Sequence, residues 1–220
     1  MSLIINVEPT VKALFPELKF GIFQAKVEVN PSSEYLKDYM QEICTTLAEK
    51  VTYESIRTIE AVESMKNAYR KLGKDPNRYR PSAESLLRRI ASHKSLYYVN
   101  NVVDILNLIS VMTGFSICGY DEDKIVGEIT LGIGLANEPY EGIGRGELNI
   151  ENLPVLRDNI GAFGTPTSDS IRTAVTDKTK NFLMIFPAFS EGLKIEEALT
   201  IAENLFTKKN YHFVCNFLIQ

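Results

Sequence analysis

A polar run in the second half of the chain, residues 165–173 (TPTSDSIRT), combines several hydroxyl groups with one carboxylate and one guanidinium. A run this polar predicts a surface loop rather than core, and such a loop could contact a ligand. Its polar side chains in the second half of the run are Ser168, Asp169, Ser170, Arg172 and Thr173. The alternative is a loop that satisfies its own backbone through Asx and Ser/Thr turns.

The cysteines and histidines of the chain give little support for a metal site or a nucleophilic residue. The three cysteines, Cys44, Cys118 and Cys215, are far apart and form no C-x-x-C pair, and the two histidines, His93 and His212, are distant from each other. We therefore predict no metal site and no cofactor. Cys118 could act as a nucleophile only beside a base, so a small apolar filler is the favoured interpretation. No Ser-His-Asp arrangement can be assembled, and the catalytic residues stay unassigned.

The run at residues 98–128 (YVNNVVDILNLISVMTGFSICGYDEDKIVGE) predicts a buried helix, a tight turn and a strand. Asn101 is the expected N-cap, Gly114 is the expected left-handed residue after the helix, and the positions between them are mostly apolar on all sides. Three polar residues are spaced three apart along this helix: Asp104, Asn107 and Ser110. When buried, each needs a hydrogen-bond partner, so this stripe should face polar atoms.

Two ordered blocks of sequence carry a resemblance to a known family. The first contains NNVVDILN and GYDEDKIVGEI, and the second is GAFGTPTSDSIRTAVTDKTKNFLMI at residues 161–185. They resemble the B3/B4 domain of the bacterial phenylalanyl-tRNA synthetase beta subunit and, for the second block, stand-alone bacterial B3/B4 proteins. The resemblance covers roughly residues 75–188. It implies an α+β fold in which a curved, mostly antiparallel sheet or sandwich is flanked by helices.

The family binds and hydrolyses misacylated tRNA, so the resemblance implies a pocket between the Asn107 helix, the turn at residues 116–120 and the loop at residues 165–173. Besides the loop residues, it would be lined by Asn107, Ser116, Cys118 and Tyr120. The family's three polar pocket side chains fall on Leu106, Cys118 and Ile171. Because isoleucine cannot pair with a tyrosine hydroxyl, we expect the pocket to prefer an apolar aminoacyl group.

Charge is distributed unevenly along a chain whose net charge is −4. Residues 66–94 contain nine basic and two acidic side chains, a balance typical of a surface for an anionic partner. The predicted RNA-binding residues are Arg78, Arg80, Arg88, Arg89 and Lys94. The alternative is a solvated helical surface whose counter-charges come from other segments.

The hydrophobic periodicity predicts how the elements follow one another. Short strands are expected within residues 4–29, and helices over residues 35–48 and 52–72, with Gly73 ending the second. Ser82 should cap a third helix, and the buried helix follows it. Strands are expected at residues 129–135, 147–150, 155–157 and 181–186, then a helix at 193–208 and a last strand at 211–219.

At 220 residues, one domain is expected. We divide it into an extension of strands and helices at residues 1–74, a B3/B4-like core at 75–188 and a C-terminal helix and strand at 189–220. The chain shows no secretory signal and no apolar run long enough to cross a membrane, so we expect it in the cytoplasm.

These observations favour recognition of tRNA or of its aminoacylated 3′ end, with hydrolysis of mischarged aminoacyl-tRNA in trans as the enzymatic form of that function. One alternative is a non-catalytic module that binds a small, amino-acid-like molecule on the same fold. Another is an accessory subunit that docks on a partner protein through the N-terminal helices at residues 35–72.

Overall fold

The computed structural model describes residues 3–207 and 214–220, and for residues 214–218 it describes the backbone alone. Within these residues the α-helices are α1 (Pro9–Leu14), α2 (Glu34–Ala48), α3 (Tyr53–Ile56), α4 (Glu60–Lys71), α5 (Ser82–Ala91), α6 (Asn101–Thr113) and α7 (Ile195–Thr207). In the part of the chain described, no helix has the length and apolar character needed to span a membrane.

The strands form two larger sheets and one small hairpin. They are β1 (Ile5–Val7), β2 (Lys19–Lys26), β3 (Cys118–Asp121), β4 (Ile129–Ile133), β5 (Glu141–Gly142), β6 (Gly146–Glu147), β7 (Pro154–Arg157), β8 (Ala162–Gly164), β9 (Asn181–Ala188) and β10 (Val214–Ile219). One sheet has the order β1-β4-β7-β8, the other β10-β2-β9-β3, and β5 pairs with β6. Only β1 and β4 pair in parallel among the described strands, so the predicted α+β fold with a mostly antiparallel sheet is confirmed.

The central strand β9 shows how the layers are arranged. Its residues alternate between two hydrophobic cores: Phe182 and Met184 pack with the helices, whereas Leu183 and Ile185 pack against the other sheet. Successive side chains of a strand point to opposite faces, so a strand that is apolar at every position must be covered on both sides. The sheet that contains β9 therefore lies between a helical layer and the second sheet.

Helix α2 covers the expected residues 35–48 and starts one residue earlier, and the expected end of α6 at Gly114 is confirmed. The Ser33 hydroxyl accepts a hydrogen bond from the Leu36 amide at the start of α2. Gly114 ends α6 with φ of 77°, in the left-handed region where a side chain would be strained.

Three expected boundaries were wrong. The helix expected over residues 52–72 is split into α3 and α4, with Ile59 as the N-cap of α4. Pro81 occupies the N-cap of α5 and Ser82 is its first helical residue. The N-cap of α6 is Asn100, whose side chain accepts hydrogen bonds from two backbone amides, rather than its neighbour Asn101.

The strands and helix expected near the C-terminus differ only in their limits. The expected strand at residues 147–150 is reduced to the two residues of β6, whereas β7 and β9 contain the runs expected for them. The helix and strand expected at 193–208 and 211–219 are α7 and β10. Residues 208–213, and with them His212, lie outside the described residues.

Gly164, the last residue of β8, allows the two sheets to approach closely. A Cβ atom at this position would collide with the hydroxyl and ring of Tyr120 on β3. Tyr120 is fully buried between the sheets, so its ring has no free space into which it could move. The absence of a side chain at residue 164 therefore fixes how β8 lies against β3.

We expect Gly164→Ala to lower the free energy of unfolding by about 1 to 3 kcal/mol, because overpacking a dense interior forces neighbouring groups to shift. Urea denaturation of the single variants and of the double variant with Tyr120→Phe measures this. The loss caused by Gly164→Ala should be smaller in the Tyr120→Phe background, since the nearest atom is gone. Equal losses in both backgrounds would contradict the described contact.

Candidate functional site

The loop at residues 165–173 leaves the end of β8 and crosses to the open edge of β3. β3 is the outermost strand of its sheet, so its outward-facing amides have no strand to pair with. The Asp169 carboxylate accepts a hydrogen bond from the Gly119 amide through Oδ2 at 3.0 Å. This contact satisfies one edge amide and joins the predicted ligand loop to the turn and strand at residues 116–120.

Most of the loop's polar groups are used within the protein. The Thr165 hydroxyl accepts from the amides of Thr167 and Ser168 at 3.2 Å each, as in a Ser/Thr turn. The Tyr140 hydroxyl donates to the Ser168 carbonyl at 2.6 Å, and the Ser170 hydroxyl accepts from the Arg172 amide at 3.2 Å. These hydrogen bonds stabilise the loop through its own groups and those of Tyr140, and ligand contact by its side chains stays a prediction.

Asp169 lies in a cluster of buried titratable groups. Burial raises the pKa of its carboxyl to about 7, although the Gly119 amide, the Tyr120 hydroxyl and the Cys118 thiol each favour the ionised form. The Asp169 Oδ1 atom and the Tyr120 hydroxyl are both buried, and neither makes a hydrogen bond of ordinary geometry with a described residue. With a pKa of about 7, the Asp169 carboxyl is partly protonated at neutral pH.

The other members of this cluster are neutral at pH 7. Burial raises the pKa of the Cys118 thiol and of the hydroxyls of Tyr69, Tyr120 and Tyr140, and the nearby Asp169 raises it further for all but Tyr69. A buried thiol with a raised pKa is a poor nucleophile. These pKa shifts support the interpretation of Cys118 as a small interior filler.

Helix α6 uses its polar stripe to bind other parts of the chain. Asp104 accepts hydrogen bonds from the Ser32 hydroxyl at 2.5 Å and from the Val99 amide at 2.9 Å. Ser110 donates to the Phe115 carbonyl at 2.7 Å. The polar atoms expected opposite this stripe are therefore protein atoms at two of its three positions. Asn107 is half-buried, and no hydrogen bond joins its side chain to a described residue.

The remaining predicted pocket residues lie on both faces of the β3 sheet. Leu106 of α6 packs over Gly119 on the helical face. Cys118 and Tyr120 point to the opposite face, into the core between the sheets. Ser116 is buried and its hydroxyl accepts from the Ala83 amide at 3.3 Å.

The last predicted loop residues differ strongly in exposure. Ile171 is 47% exposed, whereas Ser170 and Thr173 are buried. The Arg172 guanidinium makes an ion pair with the Asp158 carboxylate at 2.9 Å. Ile171 is therefore the most accessible apolar side chain of the loop, and Arg172 already has an acidic partner.

Glu84 on α5 organises part of the basic segment. It is buried, and three cations surround its carboxylate: Lys66 at 3.0 Å, Arg88 at 3.4 Å and Arg80 at 3.7 Å. Removing either partner of a buried ion pair leaves an uncompensated charge, so this network supports the structure. One carboxylate facing three cations also leaves a net positive charge at this surface.

Arg78, Arg89 and Lys94 are the members of the predicted RNA-binding set that lack an acidic partner. None of them makes an ion pair with an acidic side chain in the described part of the protein. Arg78 and Lys94 are exposed, and Arg89 is half-buried. Arg78 and Lys94 are therefore available to an anion from solution, whereas Arg89 also donates to the Ser95 carbonyl and the Tyr97 hydroxyl.

Three contacts that sequence reasoning missed join the basic segment to the candidate loop and to the turn before β3. The Ser82 amide of α5 donates to the Pro166 carbonyl at 2.8 Å, and the hydroxyls of Tyr69 and Thr167 lie 2.8 Å apart. The Ala83–Ser116 hydrogen bond links α5 to the turn before β3. Nothing in the local pattern marks these contacts, since the partners of each pair are at least 33 residues apart in sequence.

Candidate metal ligands are not gathered anywhere in the described residues, where no three of the His, Cys, Asp and Glu side chains are placed to hold an ion. His93 is exposed at the end of α5 and has φ of 55°.

The family of the chain follows from comparison with known proteins. Residues 64–205 match the model of the B3/4 domain, so the chain belongs to the B3/4 domain family and the resemblance in sequence is confirmed. Among solved structures, it is similar to an N-terminal fragment of the phenylalanyl-tRNA synthetase beta subunit from Pyrococcus horikoshii, with 14% identity and a TM-score of 0.48. The match covers all of this chain and 50% of that fragment. No curated protein matches.

We expect Asp169→Asn to change how stability depends on pH. The pKa of Asp169 is higher in the folded protein, at about 7, than in the unfolded chain, at about 3.9. The protonated Asp169 carboxyl therefore stabilises the folded protein fully below about pH 4. As the pH rises through 7, this contribution to the free energy of unfolding is lost, by up to about 4 kcal/mol. Relative to the wild type, the variant should gain stability over this interval in urea titrations.

Asp158→Asn is the matched control for this experiment. The Arg172 guanidinium holds the pKa of Asp158 below its usual value despite partial burial. The stability that Asp158 contributes should consequently be lost as the pH falls, which is the opposite trend. If Asp169→Asn and the wild type gave parallel curves from pH 4 to 8, the buried acid would not have the properties described.

Proposed function

We propose that this chain recognises tRNA, including its aminoacylated 3′ end. The observation that carries the proposal is that basic helix α5 is joined directly to the loop at residues 165–173, through the Ser82–Pro166 hydrogen bond. In an arrangement of this kind, phosphates could bind along α5 while the end of the RNA reaches the loop. A cytoplasmic location, where charged tRNA is found, belongs to the same proposal.

The charges on the segment support binding of phosphate. Arg78, Arg89 and Lys94 lack acidic partners, and the Glu84 network has more positive than negative charges. Neutralisation of phosphates by such side chains supplies most of the affinity of proteins for nucleic acids. The rest of this acidic chain would repel RNA, so binding should be confined to this face.

Hydrolysis of a mischarged aminoacyl ester in trans is the enzymatic form of this proposal. Asp169 supports it, because its pKa of about 7 suits a group that takes a proton from water at neutral pH. The carboxylate is held at the edge of β3 by the Gly119 amide. Water and ester could reach it only if the loop moved away from that edge.

We expect a variant with Arg78→Gln, Arg89→Gln and Lys94→Gln to retain tRNA on filters more weakly than the wild type. Each lost phosphate contact should reduce the slope of log affinity against log salt by about 1, and the fold should survive because the Glu84 network is unchanged. A filter-retention series from about 50 to 200 mM salt measures both quantities.

The control variant carries Lys12→Gln, Lys178→Gln and Lys180→Gln, which make the same change in net charge at exposed positions outside the basic segment. Its tRNA retention should stay close to that of the wild type. Equal effects of the two variants would show that net charge alone matters. No retention of tRNA at low salt would favour the small-molecule module or the accessory subunit docking through residues 35–72.

We expect apolar aminoacyl groups to be released from tRNA faster than tyrosine. Leu106 and Ile171 offer no hydrogen-bond acceptor for the tyrosine hydroxyl, which would lose its bonds to water on binding. Deacylation of a full set of aminoacyl-tRNAs, with the Asp169→Asn variant as the comparison, measures this preference. Faster release of tyrosine than of any apolar amino acid would contradict it.

A further inference from the structure

Two arginines at the end of α5 each support a tyrosine ring at the surface. The Arg89 guanidinium lies 3.8 Å from the centre of the Tyr97 ring and donates to the Tyr97 hydroxyl at 3.0 Å. Arg89 is itself held by the Ser95 carbonyl at 2.6 Å. Tyr97 is nevertheless 69% exposed, so the ring face opposite the guanidinium is open to solvent.

The neighbouring arginine repeats this arrangement. The Arg88 guanidinium lies 4.6 Å from the centre of the Tyr53 ring, and the Tyr53 hydroxyl is hydrogen-bonded to Ser92. Tyr53 is 41% exposed. Arg88 and Arg89 are consecutive residues near the C-terminal end of α5, so both supported rings lie near that end of the helix.

The surface continues past Tyr97 with further aromatic and basic groups. Tyr98 is 47% exposed, and the Lys37 ammonium, which is paired with Glu34 at 2.7 Å, lies 5.9 Å from its ring centre. A groove of about 330 Å³ is lined by Lys94 and Ser95, which precede Tyr97 in sequence, and by residues of α2 and its end, including Glu49. Lys94 is exposed and carries no acidic partner among the described residues.

We propose that Tyr53, Tyr97 and Tyr98, which we call the tyrosine face, stack against bases of an unpaired RNA segment. This inference rests on the proposed function and adds the kind of RNA that is bound. Aromatic rings flanked by positive charge suit single-stranded nucleic acid, because every base has a face that can stack and every nucleotide has a phosphate. A paired region hides its base faces and would gain only the charge contacts.

The hydrogen bonds of the rings favour this use. Tyr53 and Tyr97 are fixed by Ser92 and Arg89 before any ligand binds, so little side-chain freedom is lost on stacking. Exposed apolar side chains can mark an interaction surface. The Arg89 guanidinium behind Tyr97 has no acidic partner among the described residues and favours an anionic partner, whereas Arg88 behind Tyr53 is paired with Glu84. An uncharged protein surface would not use the Arg89 charge.

The test measures binding of a fluorescently labelled 12-nucleotide adenosine oligoribonucleotide by anisotropy, with a blunt RNA duplex of the same length in parallel. The single strand should bind more tightly than the duplex at equal salt. Tyr53→Ala and Tyr97→Ala should each weaken single-strand binding about tenfold and leave duplex binding nearly unchanged. Tyr97→Phe should keep most of the affinity, because the ring remains.

Tyr35→Ala is the matched control, since Tyr35 is 55% exposed and no cation lies over its ring in the described structure. Unchanged single-strand binding in the Tyr53→Ala and Tyr97→Ala variants, or equal affinity of the wild type for strand and duplex, would overturn the inference. Retention of tRNA that still depends on Arg78, Arg89 and Lys94 would then leave the proposed function in place. A change of oligomeric state without loss of RNA binding would assign the face to a contact between copies of the chain and would also overturn it.

Discussion

The hydrogen bond from the Gly119 amide to the Asp169 carboxylate is the contact on which the candidate site depends. Two sheets end at this point, and neither β3 nor β8 pairs with a further strand in the described part of the chain. The carboxylate provides an acceptor for an edge amide while the loop closes the gap between the sheets. Because the acid is buried to reach this amide, its pKa rises to about 7, and its neighbours Cys118 and Tyr120 stay neutral.

A second constraint is the buried carboxylate of Glu84. It holds Lys66, Arg80 and Arg88 at one place on the protein, so these three cations serve the fold as well as any anionic partner. The interpretation of this segment as a solvated surface with counter-charges from elsewhere is therefore correct only in part. A single acid of the same segment supplies the counter-charge, and an excess of positive charge remains for a ligand.

The sequence predicted those features that depend on local pattern. The alternation of apolar residues located β2, a continuous apolar run located β9, and the apolar run between Asn101 and Gly114 located α6. Each of these features follows from short-range periodicity or from a residue with a strong backbone preference. The polar run at residues 165–173 was expected at the surface, but five of its nine residues are buried and its last three form a short 3-10 helix.

The features that the sequence could not predict depend on contacts between distant residues. Asp104 bonds to Ser32 across 72 positions, and Tyr69 meets Thr167 across 98. No local pattern encodes such a pair, so Asp104 could be identified as a buried polar residue but its partner could not. The break between α3 and α4 was missed because the helical spacing of apolar residues continues through residues 57–59, whereas the helical conformation of the backbone is interrupted there.

The alternation of β3 has a consequence for any molecule that uses the site. Leu106 covers one surface of this strand, whereas Cys118 and Tyr120 occupy the reverse surface. A compound that touches all three must straddle the strand from its rim, where Asp169 already sits. It would have to displace that carboxylate and offer Gly119 a substitute oxygen, such as an ester carbonyl. Binding of such a compound and release of the loop from the Gly119 amide would then be a single competitive exchange rather than two separate events.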